Sequence, residues 1–265
     1  MFYGQESFKK NVNIYAENHC FPRFSIIVGR QGSGRKSACH YIASVLGADC
    51  LIWGNKIDEI RELKSLMENV GKTVVYCIPE YETMSVGARN SILKMCEEAP
   101  RGAYIVLTSS SKYSVMPTIL GRGTVFELGE YSEEDLLNIV KENNLDDSLL
   151  EVCTVPGELF TEDLKVDEFK EFVENVWNNI GKASAGNVLK ITSRLKLKED
   201  GQGYDLSLFL NYLYKLVSEC SDLNLRSFAL RTIIEAKKGV QLRFNKQYIV
   251  DNLLLDLRSL ANGTI

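Results

Sequence analysis

The chain has 265 residues, 45% of them hydrophobic and 25% charged, with a formal net charge of -4. This is the balance of an ordinary soluble globular protein, long enough for one large domain or two to three small ones. Bulk positive charge is excluded as its main feature, although the first fifty residues lean basic: Lys9, Lys10, Arg23, Arg30, Arg35 and Lys36 face only Glu6, Glu17 and Asp49.

In chain order, residues 25–29 form a short apolar strand that runs into the glycine-rich turn Gly29-Arg-Gln-Gly32-Ser-Gly34. A helical pattern follows from Ser37 to Leu46, with Ala38, Tyr41, Ile42 and Val45 at helix spacing. Leu51–Trp53 reads as a short strand and Lys56–Val70 as an amphipathic helix through Ile57, Ile60, Leu63 and Met67. Thr73–Ile78 is a continuous apolar run, the pattern of a buried parallel strand. Ser85–Glu98 reads as helix, and Ala103–Thr108 and Thr124–Leu128 as strands. After about Gly129 the strand patterns stop. Ser132 is an N-cap candidate with Asp135 three residues on, a capping-box variant before the helix Glu133–Asn143. A helical stretch Asp147–Cys153 ends at Pro156-Gly157, and helices are predicted over 167–181, 185–197, 205–220, 224–238 and 246–261, with Gly201-Gln-Gly203 separating the second from the third. The expected organisation is an α/β domain with a parallel sheet over 1–129, a small helical lid over 130–163 and an all-α domain over 164–265.

The seven cysteines are scattered and never form a C-x-x-C pair, which speaks for free thiols in a reducing cytosol and against structural zinc. No apolar run approaches the roughly 18 residues of a membrane span, and MFYGQESFKK lacks the apolar stretch of a signal peptide. The expected location is the cytoplasm, without membrane contact. His19 and His40 have no Ser or Cys partner pattern for catalysis, and Trp53 and Trp177 sit at core-like spacing.

The glycine turn has the form of a phosphate loop, Gly-x-x-x-x-Gly-Lys-Ser/Thr, whose backbone N–H groups turn inward around phosphate while the lysine adds charge and the hydroxyl holds Mg²⁺. Gly29 and Gly34 have the right spacing and Gly32 lies between them. Arg35 stands at the lysine position and Lys36 at the hydroxyl position. Ser37 brings a hydroxyl one residue late, a rotation of about 100° on a helix. Arg35 keeps the charge but as a planar fork. The apolar strand Val74–Ile78 should end in Asp-Glu for an ATPase, the Asp supporting Mg²⁺ and the Glu activating water. It is followed by Pro79-Glu80, so the metal-binding carboxylate is missing while Glu80 remains. ATP, ADP or phosphate at the loop is the only cofactor this pattern suggests; no metal site is expected.

Several stretches together resemble one family, the AAA+ clamp-loader subunits, and among them the bacterial DNA polymerase III delta-prime subunits. They are Gly4-Gln5-Glu6; Ile57-Asp-Glu-Ile60-Arg61-Glu62-Leu63; Glu82-Thr-Met84-Ser85 followed by Ala88-Arg-Asn90-Ser-Ile-Leu93-Lys94-Met-Cys-Glu97-Glu98-Ala-Pro100; Thr108-Ser109; Met116-Pro117-Thr118-Ile119-Leu-Gly121-Arg122-Gly123; and, near the C-terminus, Asn245 through Asp251-Asn-Leu253-Leu254-Leu255. Of the family's Ser-Arg-Cys only Arg122 is kept, the four-cysteine zinc module is absent, and no sensor-2 arginine stands near Pro156-Gly157-Glu158. The resemblance implies a P-loop AAA+ domain, a helical lid and a helical collar in a hetero-oligomeric ring. It implies Thr108 as sensor 1, Glu80 as a degenerate Walker B carboxylate, and Gly29, Gly32, Gly34, Arg35, Lys36 and Ser37 as a degenerate nucleotide loop. Arg122 would be an arginine finger acting in trans on a neighbour's nucleotide. The implied partners are other loader subunits and, through the complex, the sliding clamp and primer-template DNA. Asn90 and Lys94, one turn apart, could meet a neighbour or DNA or be surface and packing residues. Two alternatives stay open: an active ATPase of the same fold, and a free-standing or phage-encoded nucleotide-binding regulator.

Overall fold

Five segments pair in parallel to form one sheet: β1 (Phe24–Val28), β2 (Asp49–Ile52), β3 (Val74–Ile78), β4 (Ala103–Ser109) and β5 (Thr124–Glu127), in the order β2-β3-β4-β1-β5. The computed structural model describes residues 2–67, 72–97, 99–100, 102–161, 164–182, 191–197 and 203–261. Parallel strands need crossovers, and helices α1 (Glu6–Glu17), α2 (Arg35–Leu46), α3 (Ile57–Met67), α4 (Val86–Glu97) and the short α5 (Pro117–Leu120) precede or connect them. By its contacts the chain divides into a first unit, Met1–Ile139 with Val155–Gly157, and a second, Val140–Thr154 with Glu158–Ile265.

Alternation along the strands sorts the first unit's core into two layers. Phe24 and Ile26, with Val74, Tyr76 and Ile78 and with Ile105 and Leu107, face Ile60 and Leu63 of α3 and Ala88 and Ile92 of α4. On the other side Ile27, Val75, Cys77, Val106 and Phe126 pack against Phe8 and Val12 of α1 and Ala38, Cys39 and Ile42 of α2. All five residues of β3 are buried, which is why its sequence reads as an unbroken apolar run. Helix α1 was not anticipated from the sequence. Its signal was the spacing of Phe8, Val12 and Tyr15 in an otherwise polar stretch; Phe8 is now buried between the rings of Phe2 and Phe126, each 5.8 Å away. The expected cap holds: the Ser132 hydroxyl donates to Asp135 at 2.7 Å and accepts from the Asp135 N–H at 3.1 Å, opening α6 (Glu133–Asn143).

The second unit is built on α7 (Val166–Asn179), α8 (Leu206–Ser218), α9 (Leu223–Gln241) and α10 (Lys246–Ala261), packed in succession α7 on α8, α8 on α9, α9 on α10. Asp205 caps α8 by accepting from Ser207 and Leu208 N–H, and Asp222 caps α9 by accepting from Asn224 and Leu225. Two expectations change here. Asp147–Glu151 is a 3₁₀ segment, shorter than the helix expected over Asp147–Cys153. Of the helix expected over 185–197, residues 185–190 lie outside the described residues and 191–193 are helical. Its far end is not helical: Leu195–Lys196 (β6) pairs in parallel with Tyr204–Asp205 (β7). A two-residue ladder leaves no periodicity in a sequence, so it could not be read there. The Gly201-Gln-Gly203 break also falls mostly outside the described residues.

Candidate functional site

The sheet order brings the C-terminal ends of β1, β3 and β4 side by side, the edge at which open α/β sheets bind ligands. The glycine turn leaves β1 here, anchored by the Gly29 N–H donating to the Ser109 carbonyl at 3.1 Å. Gly32 and Gly34 take φ of +79° and +80°, left-handed values that a side chain would resist, and Gly34 caps α2. The turn is also covered from outside. The Tyr131 hydroxyl donates to the Ser33 carbonyl at 3.0 Å, and burial pushes that phenol's pKa up to about 12, keeping the proton the bond needs. The Gly157 N–H donates to the Gly32 carbonyl at 2.9 Å. The two backbones are so close that a Cβ on Gly157 would lie 2.6 Å from the Gly32 Cα. Inside the turn, the Ser33 hydroxyl is buried and has no hydrogen-bond partner.

Arg35, at the lysine position, begins α2 but does not face an open cradle. Its side chain is about nine-tenths buried and Nη1 lies 3.6 Å from Oε1 of Glu82, whose side chain is 6% exposed. Glu82 is held in turn by the Ser109 hydroxyl, donating to Oε2 at 2.9 Å, and by the Ser110 N–H, donating to Oε1 at 3.1 Å. Burial alone would raise the Glu82 pKa. Hydrogen bonds from its own backbone, Ser110 and Ser109, together with the Arg35 charge, outweigh burial and leave it below the ordinary carboxylate value. Lys36 and Ser37 are exposed on the first turn of α2. Glu82 was visible in the sequence only as one letter of the family pattern; its pairing with Arg35 is a property of the folded chain alone.

Glu80 and Thr108 do meet. The Glu80 N–H donates to the buried Thr108 hydroxyl at 3.2 Å. Glu80 has φ +53°, an unusual left-handed value for a residue with a side chain, at the turn where β3 ends. Asn55 ties this turn down by donating to the Pro79 carbonyl and the Thr83 hydroxyl at 3.2 and 2.6 Å.

A nucleotide with Mg²⁺ fits these residues poorly. The turn's left-handed glycines and the start of α2 have the form of a phosphate cradle. However, Pro79 offers no side-chain oxygen where a metal-binding carboxylate is needed, Arg35 already faces a carboxylate, and Gly157 lies on Gly32. Among the described residues no group of three or more His, Cys, Asp or Glu could hold a metal ion.

Arg122 lies elsewhere. It precedes β5, whose first residue, Thr124, pairs with Ser25 near the start of β1, whereas the turn follows the end of β1. Four residues of strand, about 13 Å, separate the two levels. The side chain is 42% exposed and its guanidinium is held in place: Nε and Nη2 each reach Oε1 of Glu97 at 2.7 Å, and Nη1 donates to the Thr118 carbonyl at 2.8 Å. Glu97 is thus an ion-pair partner. Asn90 and Lys94 are exposed on α4, and Glu98 is outside the described residues. Gln5, in the stretch Gly4-Gln5-Glu6, is a clamp: its amide donates to the Gly129 carbonyl at 3.0 Å and accepts from the Gly129 N–H at 2.7 Å.

No described helix is long and apolar enough to cross a membrane. Residues 31–132 match the family described as DNA polymerase III, delta subunit. The chain is 31% identical over 111 residues to the DNA polymerase III subunit gamma of Buchnera aphidicola subsp. Schizaphis graminum, covering 37% of this chain and 30% of that protein. It is 28% identical over 86 residues to the DNA polymerase III subunit tau of Bacillus subtilis, covering 31% and 15%. The chain thus spans less than a third of the length of either relative. Among solved structures, a DNA polymerase III gamma subunit-related protein of Thermotoga maritima superposes with a TM-score of 0.50 at 15% identity, covering 97% of this chain and all of that one. The RuvB Holliday junction branch migration motor of the same organism superposes at 0.52 and 14% identity, covering 94% and 88%. The chain therefore has an AAA+ fold, and over residues 31–132 it is similar to the family described as DNA polymerase III, delta subunit.

Proposed function

We propose that the chain is a subunit of a DNA polymerase III-type clamp loader that does not turn over ATP itself and lends Arg122 to nucleotide held by a neighbouring subunit. The observation that carries this reading is the contrast between the two ends of the sheet. At one end the loop arginine is paired internally and the metal carboxylate is replaced by Pro79. At the other, Arg122 is exposed, oriented by Glu97 and Thr118, and too far along the strands to serve its own loop. A guanidinium aimed at charge developing on a transferring phosphoryl group accelerates the reaction by a large factor. The partners in this reading are the other loader subunits and, through the complex, the sliding clamp and primer-template DNA; the site of action is the cytoplasm.

The test is R122A in a reconstituted loader. Clamp- and DNA-stimulated ATPase should fall by about tenfold or more, given what such arginines supply elsewhere. Turnover at the native rate would remove the finger assignment. Mg²⁺-dependent ATP turnover by the isolated chain would instead favour an active ATPase of the same fold.

A further inference from the structure

We infer that Glu82 is the built-in counter-anion of the glycine turn: its carboxylate gives Arg35 a counter-charge in place of a phosphate group and so keeps phosphate ligands out. This rests on the proposed reading of the turn as a phosphate cradle without ATP turnover, and it names the group responsible.

A guanidinium as buried as that of Arg35 needs a counter-charge, because an unpaired buried ion is costly. Glu82 is the carboxylate beside it, and it is not there by the accident of a flexible side chain. The Ser109 hydroxyl and the Ser110 N–H hold both of its oxygens from the end of β4, while its own backbone follows the end of β3. Arg35 reaches it from the helix that follows β1. One carboxylate therefore links the turns at three strand ends. A phosphate entering the turn would meet this fixed negative charge within a few ångströms, where repulsion in a buried setting is strong. Yet the pair is not saturated. At 3.6 Å from Glu82, Nη1 of Arg35 is beyond hydrogen-bond reach and has no hydrogen-bond partner. With the Glu82 charge removed, the same guanidinium is free to take a bidentate phosphate oxyanion, the acceptor its planar fork suits best. The ligand class is a diphosphate group.

The experiment is calorimetric titration of inorganic pyrophosphate, without divalent metal, into the full chain and its E82Q variant. E82Q should bind at least about tenfold more tightly than the native chain, and the double variant R35Q/E82Q should lose that gain. Equal affinity of native and E82Q proteins overturns the inference, as does a gain that survives loss of Arg35. Should E82Q fail to fold, R35M/E82M decides: removing both charges restores the fold if the pair is the reason, and failure to restore it overturns the inference. These titrations involve neither neighbouring subunits nor ATP turnover. Their failure would leave the Arg122 assignment standing, and a failed R122A test would leave this one standing.

Discussion

Replacing Gly157 with alanine tests whether the glycine turn is held shut by backbone-on-backbone contact. Gly157 is not in the left-handed region, so alanine is acceptable to its own backbone and the effect is steric alone. The new Cβ would lie 2.6 Å from the Gly32 Cα and 3.1 Å from its carbonyl oxygen. Carbon atoms pack at about 3.5–4.0 Å, so the two segments must part by roughly 1 Å. That stretches the 2.9 Å bond from the Gly157 N–H to the Gly32 carbonyl beyond useful length. The lost hydrogen bond costs about 1 kcal/mol and the overpacking about 1–3 kcal/mol. Closure of the turn should weaken by about 2–4 kcal/mol, so the opening equilibrium rises by a factor of about 30 or more. Amide hydrogen exchange reads this directly. The Gly157 amide should exchange at least about 30-fold faster in G157A, with amides in the β3 core unchanged. Exchange within about threefold of native would refute the argument that this contact closes the turn.

Gln5→Asn keeps an amide and tolerates the left-handed backbone at that position but is too short to reach Gly129; losing two hydrogen bonds should cost about 2 kcal/mol. The melting temperature of the first unit should fall by about 4–8 °C in a circular-dichroism melt. The Glu82 pKa is depressed in the folded chain, so its contribution to stability is complete above the unfolded carboxylate value and is lost as pH falls through the folded one. Denaturant titrations at a series of pH values should therefore show a shallower acid limb, below about pH 5, in E82Q than in the native chain. Among the cysteines Cys20 is exposed, while Cys39, Cys77 and Cys153 are buried, with burial, aided by Glu158, pushing the Cys153 pKa up to about 12. Thiol labelling of the native protein near pH 8 should modify Cys20 first, and C20S should remove that fastest phase.

The α/β half was legible in the sequence because its three central strands, β1, β3 and β4, are buried and flanked by polar punctuation. Val74–Ile78 and Ala103–Ser109 could hardly be anything else, and α2 announces itself after its glycines. Helix α1 escaped because only Phe8 and Val12 are fully buried among twelve mostly polar residues. The ladder of Leu195–Lys196 with Tyr204–Asp205 escaped because two residues make no pattern. The glycine spacing and the proline after β3 were readable from local chemistry. The closure of the turn was not: Glu82, Tyr131 and Gly157 reach it from separate parts of the chain, and only the folded chain brings them there. For Arg122 the sequence carried the residue type and its glycine neighbours, but not its ion pair with Glu97 on α4.

Strand β1 sits between β4 and β5, hydrogen-bonded on both sides, with the glycine turn at one tip and the Arg122 corner beside the other. Such a strand behaves as a ruler. Loops at either tip can lengthen, shorten or change partner, but the interval between the tips is set by the rise per residue of a strand locked in the middle of a packed sheet. Any partner that grips both tips of this sheet meets them at that fixed interval.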